Sequence, residues 1–132
     1  MANEIANRSH AGFVLEAHDD GDPVLVDGSW GIDASSLVKL GTGLYSVRLT
    51  RPIGAVFNAA GNGFTVKEGF PIASAEFAAS GLASAILAPD IAPVAGEPLQ
   101  FTQVQVTTTD FVGIPVDNNQ TINVEVLRAP ED

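Results

Sequence analysis

The chain has 132 residues, 45% of them hydrophobic and 17% charged, which suits one folded domain and excludes a disordered tail. Its 16 acidic and 6 basic residues give a formal net charge of -10, which argues against binding to nucleic acid or to an anionic membrane surface. The chain has no cysteine, which excludes disulfides and thiolate metal sites, and it has no apolar run of about 18 residues that could span a membrane.

The N-terminal part of the sequence predicts an extended arm followed by short strands. Residues 1–11 are mostly polar, and the acidic Glu4 together with the lack of an apolar core argues against a signal peptide, so we expect synthesis inside a cell. Turn-forming Asp and Gly residues occur at 18–22 and 27–28. Strands are expected between and beside these turns, at residues 13–18, 23–26 and 35–40.

The segment from Lys39 to Ile53, KLGTGLYSVRLTRPI, carries the clearest strand signal. A Gly-Thr-Gly corner at 41–43 separates two strands, and apolar and polar residues alternate along the second one. Such alternation predicts a strand with one face toward the core. The expected inward residues are Tyr45, Val47 and Leu49, and the expected outward residues are Ser46, Arg48 and Thr50. Pro52 has no N–H to donate to a neighbouring strand, so pairing is expected to stop there.

The second half of the sequence predicts further strands. Asn-Gly within 61–63, between two apolar runs, predicts a hairpin. The segment 73–87 predicts two strands separated at Ser80-Gly81, or alternatively a helix, because alanine favours helix. Three prolines within 89–98 predict an exposed connector. Two longer strands are expected at residues 101–108 and 121–128, with Ile122, Val124 and Val126 inward.

The number and spacing of these elements indicate the fold class. Eight to ten short strands with turn signals between them, and no alternation of strands with helices, are typical of an antiparallel β-sandwich or a jelly-roll-like barrel. We therefore predict an all-β protein with an extended arm at residues 1–11 and a single β-sandwich domain at 12–132.

The sequence contains no recognisable catalytic motif. The acidic residues within 18–22 could bind calcium, but a solvated turn is the favoured interpretation, since no bidentate glutamate follows at the required spacing. His10 and His18 are the only histidines, too few for a zinc site without carboxylate ligands, and we expect both to be exposed. Ser9 lies beside His10 in the arm, where a rigid catalytic arrangement is not expected. We therefore predict a non-enzymatic protein without a cofactor.

Several residues are candidates for contact with a partner protein. Arg48 and Arg51 could pair with acids across a subunit boundary, or could be ordinary outward-facing cations. Trp30 could be a core residue or an interface anchor, or could stack on a sugar. Gln103, Gln105 and Thr107 form one uncharged polar face of a predicted strand. This face suits a subunit contact, or it could be a solvated sheet face. The arm contributes Glu4, Ile5 and Arg8.

The segment GTGLYSVRLTRPI and the later segment DNNQTINVEVLRAP together resemble β-modules of tailed-bacteriophage virion proteins. The shared features are a strand of the form G-x-G-x-Y-x-V-x-L-x-x-P and a closing strand with alternating valines followed by arginine. The resemblance covers residues 38–53 and 121–129. It implies a capsid decoration (cement) protein or a head- or tail-fibre module, of which some are trimeric and resemble the C1q jelly roll. It assigns no individual functional residue.

Two functional hypotheses follow from the residues and the resemblance together. The first is a structural virion protein, a homo-oligomer and by preference a trimer, that binds the major capsid protein or another virion protein on the capsid surface. The arm would then lie on the shell. The second is a tail or fibre module that recognises a host glycan or receptor, with its contact surface formed by the loops 18–22, 28–34 and 88–98.

Overall fold

The computed structural model describes residues 9–20, 22–57, 64–66, 70–75, 81–92, 94 and 96–127. Within these residues the chain forms nine β-strands and no helix, which confirms the predicted all-β class. The strands are β1 (Ser9–Ala17), β2 (Val24–Leu25), β3 (Ile32–Gly41), β4 (Leu44–Phe57), β5 (Phe64–Val66), β6 (Phe70–Ala75), β7 (Leu82–Pro89), β8 (Pro98–Thr109) and β9 (Gln120–Leu127). No helix in this part of the chain is long and apolar enough to cross a membrane.

The strands pair into two antiparallel sheets. The four-stranded sheet has the order β2-β1-β9-β6, and the five-stranded sheet has the order β3-β4-β8-β7, with β5 paired to the far part of β4. The alternating apolar side chains of both sheets form one buried cluster, which confirms the predicted β-sandwich. The most deeply buried of these side chains are Leu15, Tyr45, Val47, Ile53, Val104, Val106, Ile122 and Val126.

The predicted alternation is confirmed on β9 and, with one exception, on β4. Tyr45, Val47 and Leu49 are buried, as expected. Ser46 was expected to be exposed but is buried, because its hydroxyl donates a hydrogen bond to Oε1 of Gln103 on the neighbouring strand at 2.7 Å. The Gln103 side chain therefore covers a residue that is small and polar.

Pro52 does not end its strand, so that prediction is wrong. β4 continues to Phe57, and its pairing with β8 passes from Arg48↔Gln103 to Ile53↔Phe101. Residues 49–52 of β4 thus lie opposite the single residue 102 of β8, in an irregular bulge. Proline is tolerated at this position because the bulge interrupts the regular ladder, so its missing N–H has no partner to lose.

The described residues of the segment 73–87 belong largely to two strands, which confirms the two-strand prediction and shows that a helix over this segment is wrong. β6 ends at Ala75 in one sheet and β7 begins at Leu82 in the other. Gly81 lies directly before β7, where a side chain would collide with the backbone oxygen of Thr109. The required close approach to a neighbouring strand explains why a glycine interrupts this alanine-rich run.

The boundary of the predicted arm differs in the structure. β1 begins at Ser9, and Ala11 is fully buried, so residues 9–11 belong to the four-stranded sheet. Residues 1–8, which include the candidate contact residues Glu4, Ile5 and Arg8, lie outside the described residues. The predicted hairpin is confirmed by the antiparallel pair Phe57↔Phe64, while its turn residues also lie outside the described part.

Candidate functional site

Four of the predicted contact residues come together on one surface. Gln103, Gln105 and Thr107 follow one another on the side of β8 that faces away from the core, and Arg48 lies directly opposite Gln103 on β4. The edge strand β7 pairs with β8 along the edge that β4 does not occupy, and there Ile86 lies opposite Gln105. We call this surface the outer face and define it by the residues Leu44, Ser46, Arg48, Ser84, Ile86, Gln103, Gln105 and Thr107.

The charge on the outer face is neutralised within the chain. The guanidinium of Arg48 binds both oxygens of Asp90, with distances of 3.0 and 2.7 Å, in the fork geometry that arginine favours. The hydrogen bonds from Arg48 lower the pKa of Asp90 to about 2, and the same contact raises the pKa of Arg48. Arg48 is the only charged residue among the eight that define the outer face, and Asp90 balances its charge. Asp33 of β3 lies opposite Arg48 and places one further carboxylate beside this face.

A tight turn at the end of β8 presents three large apolar side chains to solvent. Phe111, Val112 and Ile114 are 70%, 80% and 61% exposed. The turn is nevertheless well ordered by hydrogen bonding, because Oδ1 of Asp110 accepts from the backbone N–H groups of Val112 and Ile114, both at 3.0 Å. A further backbone bond from Asp110 to the Ile114 oxygen closes it at 2.9 Å, and Gly113 adopts a positive φ of 90°. We call residues 110–114 the apolar turn.

The residues after the apolar turn are fastened to the sandwich. Thr108 donates a side-chain hydrogen bond to the backbone oxygen of Val116 at 2.8 Å, and the Asn118 amide donates to the backbone oxygen of Thr109 at 3.2 Å. Asp117 binds Lys39 at 2.7 Å, and this contact lowers the pKa of the Asp117 carboxyl group. The apolar turn therefore precedes a segment that is anchored to strands β3 and β8 of the five-stranded sheet.

The apolar turn is not among the contact surfaces predicted from the sequence. A signal was present, because the segment FVGI at 111–114 places three large apolar residues around a glycine, directly after an aspartate that can cap a turn. An apolar run of this length is ordinarily assigned to a strand in a buried sheet. The side chains of residues 111–114 are instead exposed, and this is visible only once the hydrogen bonds of Asp110 are known.

Arg51 lies away from the outer face, because it contacts β1. The imidazole of His10 bonds the backbone oxygen of Arg51 at 2.7 Å, and one guanidinium nitrogen of Arg51 lies 3.1 Å from the other ring nitrogen. His10 is buried, so the expectation of an exposed histidine is wrong. The two contacts are satisfied together when Nε2–H donates to the carbonyl and Nδ1 accepts from Arg51. Both residues are therefore used inside the fold.

Trp30 lies on the outside of the four-stranded sheet. It is 49% exposed, so it is not a core residue, and it pairs with Gly12 of β1 through two backbone hydrogen bonds of 2.9 and 3.0 Å. Its indole Nε1–H donates to the Ser9 hydroxyl at 3.2 Å. Trp30 and the predicted contact residues of the outer face thus lie on opposite surfaces of the sandwich.

The described residues of the acidic segment 18–22 form hydrogen bonds within the chain. The backbone N–H of Asp22 donates to a side-chain oxygen of Asp20 at 3.0 Å, and the N–H of Asp19 donates to Asn119 at 3.1 Å. Among the residues that the structure describes, no group of three or more His, Asp or Glu side chains is arranged to hold a metal ion.

Comparison of the chain with family models, with curated proteins and with solved structures finds no match.

Proposed function

We propose that this chain is a structural protein that binds other proteins through preformed surfaces and carries out no catalysis. In this proposal it decorates a tailed-phage capsid as a homo-oligomer, with the major capsid protein or another virion protein as its partner. It is made in the host cytoplasm and located on the capsid surface. The observation that carries the proposal is the apolar turn, in which Phe111, Val112 and Ile114 are exposed on a well-bonded backbone.

The apolar turn has the properties of a docking element. Clustered large apolar side chains on a protein surface mark a place that another surface covers, because covering them removes apolar area from water. The hydrogen bonds of Asp110 hold the turn in one conformation before any partner is bound. A preformed element loses little conformational freedom on binding, so more of the contact energy contributes to affinity.

The outer face supports self-association. A chain of net charge -10 repels its own copies, and this repulsion is weakest where a surface carries no net charge. The outer face carries little net charge, because Asp90 neutralises Arg48 and Asp33 of β3 adds one carboxylate beside it. Its glutamine, threonine and serine side chains can hydrogen-bond across an interface without burying a charge. Ile86, which is exposed beside them, adds apolar area.

The assignment to a phage capsid is supported by the resemblance of residues 38–53 and 121–129 to virion β-modules. The trimeric state is likewise supported by the resemblance alone. A decoration protein acts by bridging neighbouring shell subunits, since its binding free energy opposes their separation. In this arrangement residues 1–8, which precede β1, contribute further contacts to the shell.

The oligomeric state tests the first part of the proposal. Light scattering of the purified chain is expected to give a homo-oligomer, and Thr107→Lys is expected to shift it toward monomer by placing a charge on the outer face. Thr121→Lys is the matched control, because Thr121 lies on β9 in the other sheet. A monomeric wild-type chain would remove the support for self-association through the outer face.

Co-sedimentation tests the second part. Shells assembled from the major capsid protein of the same phage genome are expected to carry the wild-type chain down, and the double variant Phe111→Ser/Val112→Ser is expected to remain in the supernatant. Val94→Ser is the control, since Val94 is also exposed but precedes β8, whereas the apolar turn follows the other end of that strand. If the wild-type chain fails to sediment, or if the double variant sediments equally well, the capsid proposal is wrong.

A tail or fibre module that recognises a host glycan is the second candidate. The three loops expected to form its contact surface do not lie together. Asp19 contacts Asn119 near the end of β8, whereas Pro89 pairs with Phe101 near the beginning of β8. These two positions along β8 are about 26 Å apart at a rise of 3.3 Å per residue. A different feature, the exposed Trp30, favours glycan binding, and it is considered next.

A further inference from the structure

A pocket of about 330 Å³ lies on the outside of the four-stranded sheet, beside Trp30. Its floor is formed by three neighbouring strands, because Asn123 of β9 pairs with Val14 of β1 on one side and with Ser74 of β6 on the other. In the adjacent row, Glu125 pairs with Gly12 and Ile72. Asp27 and Gly28 close one edge. The volume is in the range of small-molecule sites.

Trp30 is held rigidly at the edge of this pocket. Two backbone hydrogen bonds to Gly12 fix its main chain, and the bond from Nε1 to Ser9 fixes its ring. The ring occupies the space above Gly12, where any side chain would collide with it. Gly31 follows with a φ of 71°, and a side chain there would collide with the backbone oxygen of His10. Gly12 and Gly31 therefore leave the space that allows the Trp30 ring to lie half exposed on the sheet.

The polar side chains of the pocket are available to a ligand. Asp27, Ser74, Asn123 and Glu125 line it, and none of these four side chains forms a hydrogen bond or ion pair with another described residue. Together they offer carboxyl acceptors, an amide that both donates and accepts, and a hydroxyl group. Val14, Ile72 and Trp30 supply the apolar part of the lining.

We infer that this pocket binds an uncharged carbohydrate. A pyranose ring has an apolar face of C–H groups that packs on an aromatic side chain, and hydroxyl groups at its rim that match carboxyl and amide groups. The pocket offers this combination. Two acidic side chains and no lysine or arginine line it, so a phosphorylated or acidic sugar would be repelled. A quaternary ammonium ion is favoured by a cage of aromatic rings, whereas this pocket has one exposed ring. The inference does not depend on the capsid proposal.

The single tryptophan makes the inference directly measurable. Because Trp30 is the only tryptophan in the chain, its fluorescence reports on this pocket alone. Titration with defined neutral oligosaccharides built from glucose, galactose or N-acetylglucosamine is expected to give a saturable change for at least one of them. A Kd on the order of 0.1–1 mM is expected for a shallow site that engages one or two sugar rings.

Variants locate the binding. Asn123→Ala and Glu125→Gln, both on the exposed side of β9, are each expected to weaken binding by about tenfold or more, as measured by calorimetry. Gln105→Ala, on the opposite sheet, is the control and is expected to bind unchanged. These exposed positions avoid the folding defect that loss of Trp30 could cause.

Three results would overturn the inference. One is the absence of saturable binding to every neutral oligosaccharide at concentrations far above the expected Kd. Another is binding that Asn123→Ala and Glu125→Gln leave unchanged. The third is saturation by choline or by calcium ions with no response to sugars, which would assign the pocket to a cation.

Discussion

The carboxylate of Asp117 accepts a hydrogen bond from the backbone N–H of Gly43, with 2.9 Å between Oδ1 and the nitrogen. Its second oxygen lies 2.7 Å from Nζ of Lys39. One side chain thus ties the segment after the apolar turn to both strands that meet at the Gly-Thr-Gly corner. Gly43 is required there, since its φ is 65° and a side chain would lie 2.5 Å from the backbone oxygen of Thr108.

Replacing this carboxylate should loosen the corner. Asp117→Asn removes the charge that attracts Lys39 and retains the shape of the side chain, so we expect a lower melting temperature in thermal unfolding followed by circular dichroism. Asp19→Asn is the charge-matched control, because the Asp19 carboxylate is exposed and forms no bond with another described residue. Equal melting temperatures for the two variants would contradict the role assigned to Asp117.

The Arg48–Asp90 pair should give a defined pH dependence. The folded-state pKa of Asp90 is about 2, below its ordinary value of 3.8, so the ionised form is favoured by folding. Its contribution to stability is therefore complete above about pH 5, and is lost as the pH falls toward 2. Urea unfolding at several pH values should show wild type more stable than Asp90→Asn near neutrality. The difference should be small, because both partners are half exposed.

Stability measurements at low pH show whether the ionisation of Asp90 causes the difference between wild type and Asp90→Asn. If the stability difference between wild type and Asp90→Asn persists unchanged at pH 2, the difference comes from packing and not from ionisation. If it disappears already at pH 5, Arg48 does not stabilise the carboxylate as the structure indicates.

Gly12 should be intolerant of any side chain. Gly12→Ala places a methyl group where the Trp30 ring lies, so the ring must move, and we expect destabilisation of about 1–3 kcal/mol. A change in tryptophan emission should accompany it. Gly54→Ala is the control, because nothing lies within 4 Å of the added group, and it should leave stability unchanged or slightly raised. Unaltered emission in Gly12→Ala would show that the ring is not packed as described.

Replacing leucine by alanine at one buried and one exposed position should have different effects on stability. Leu15→Ala removes a fully buried side chain and should lower the free energy of unfolding by about 2–5 kcal/mol in urea titration. Leu82→Ala, at a residue that is 51% exposed, should change it by no more than about 0.5 kcal/mol. Similar losses at both positions would mean that Leu82 is covered, for example by a second copy of the chain.

The sandwich could be predicted from the sequence because its strands alternate cleanly. The inward positions of β4 and β9 are evident from the spacing of valine, leucine and isoleucine, and the break at Gly81 follows from the need for close backbone approach. The prediction that Pro52 ends the pairing was wrong, because it applied a rule for regular strand pairing to a residue that lies inside a bulge. Such a bulge depends on the partner strand, which local sequence does not reveal.

The candidate surfaces were only partly predictable. Gln103, Gln105 and Thr107 share one face by simple alternation, so their grouping was correct. His10 was expected in solvent, yet its burial depends on Arg51, which is 41 positions away along the chain. The Trp30 pocket likewise depends on strands β1, β6 and β9, whose adjacency comes from the topology. Contacts between segments that are distant in the sequence thus determine the burial of His10 and the shape of the Trp30 pocket, and patterns within one sequence do not reveal such contacts.

The position of β9 also sets the order in which the molecule can be completed. This strand lies between β1 and β6, yet it is the last of the described strands to leave the ribosome. Until it arrives, both neighbours present unpaired edges that could join the edges of other chains. We therefore expect nascent or truncated chains that end before residue 120 to aggregate, and folding to be governed by the capture of this final strand.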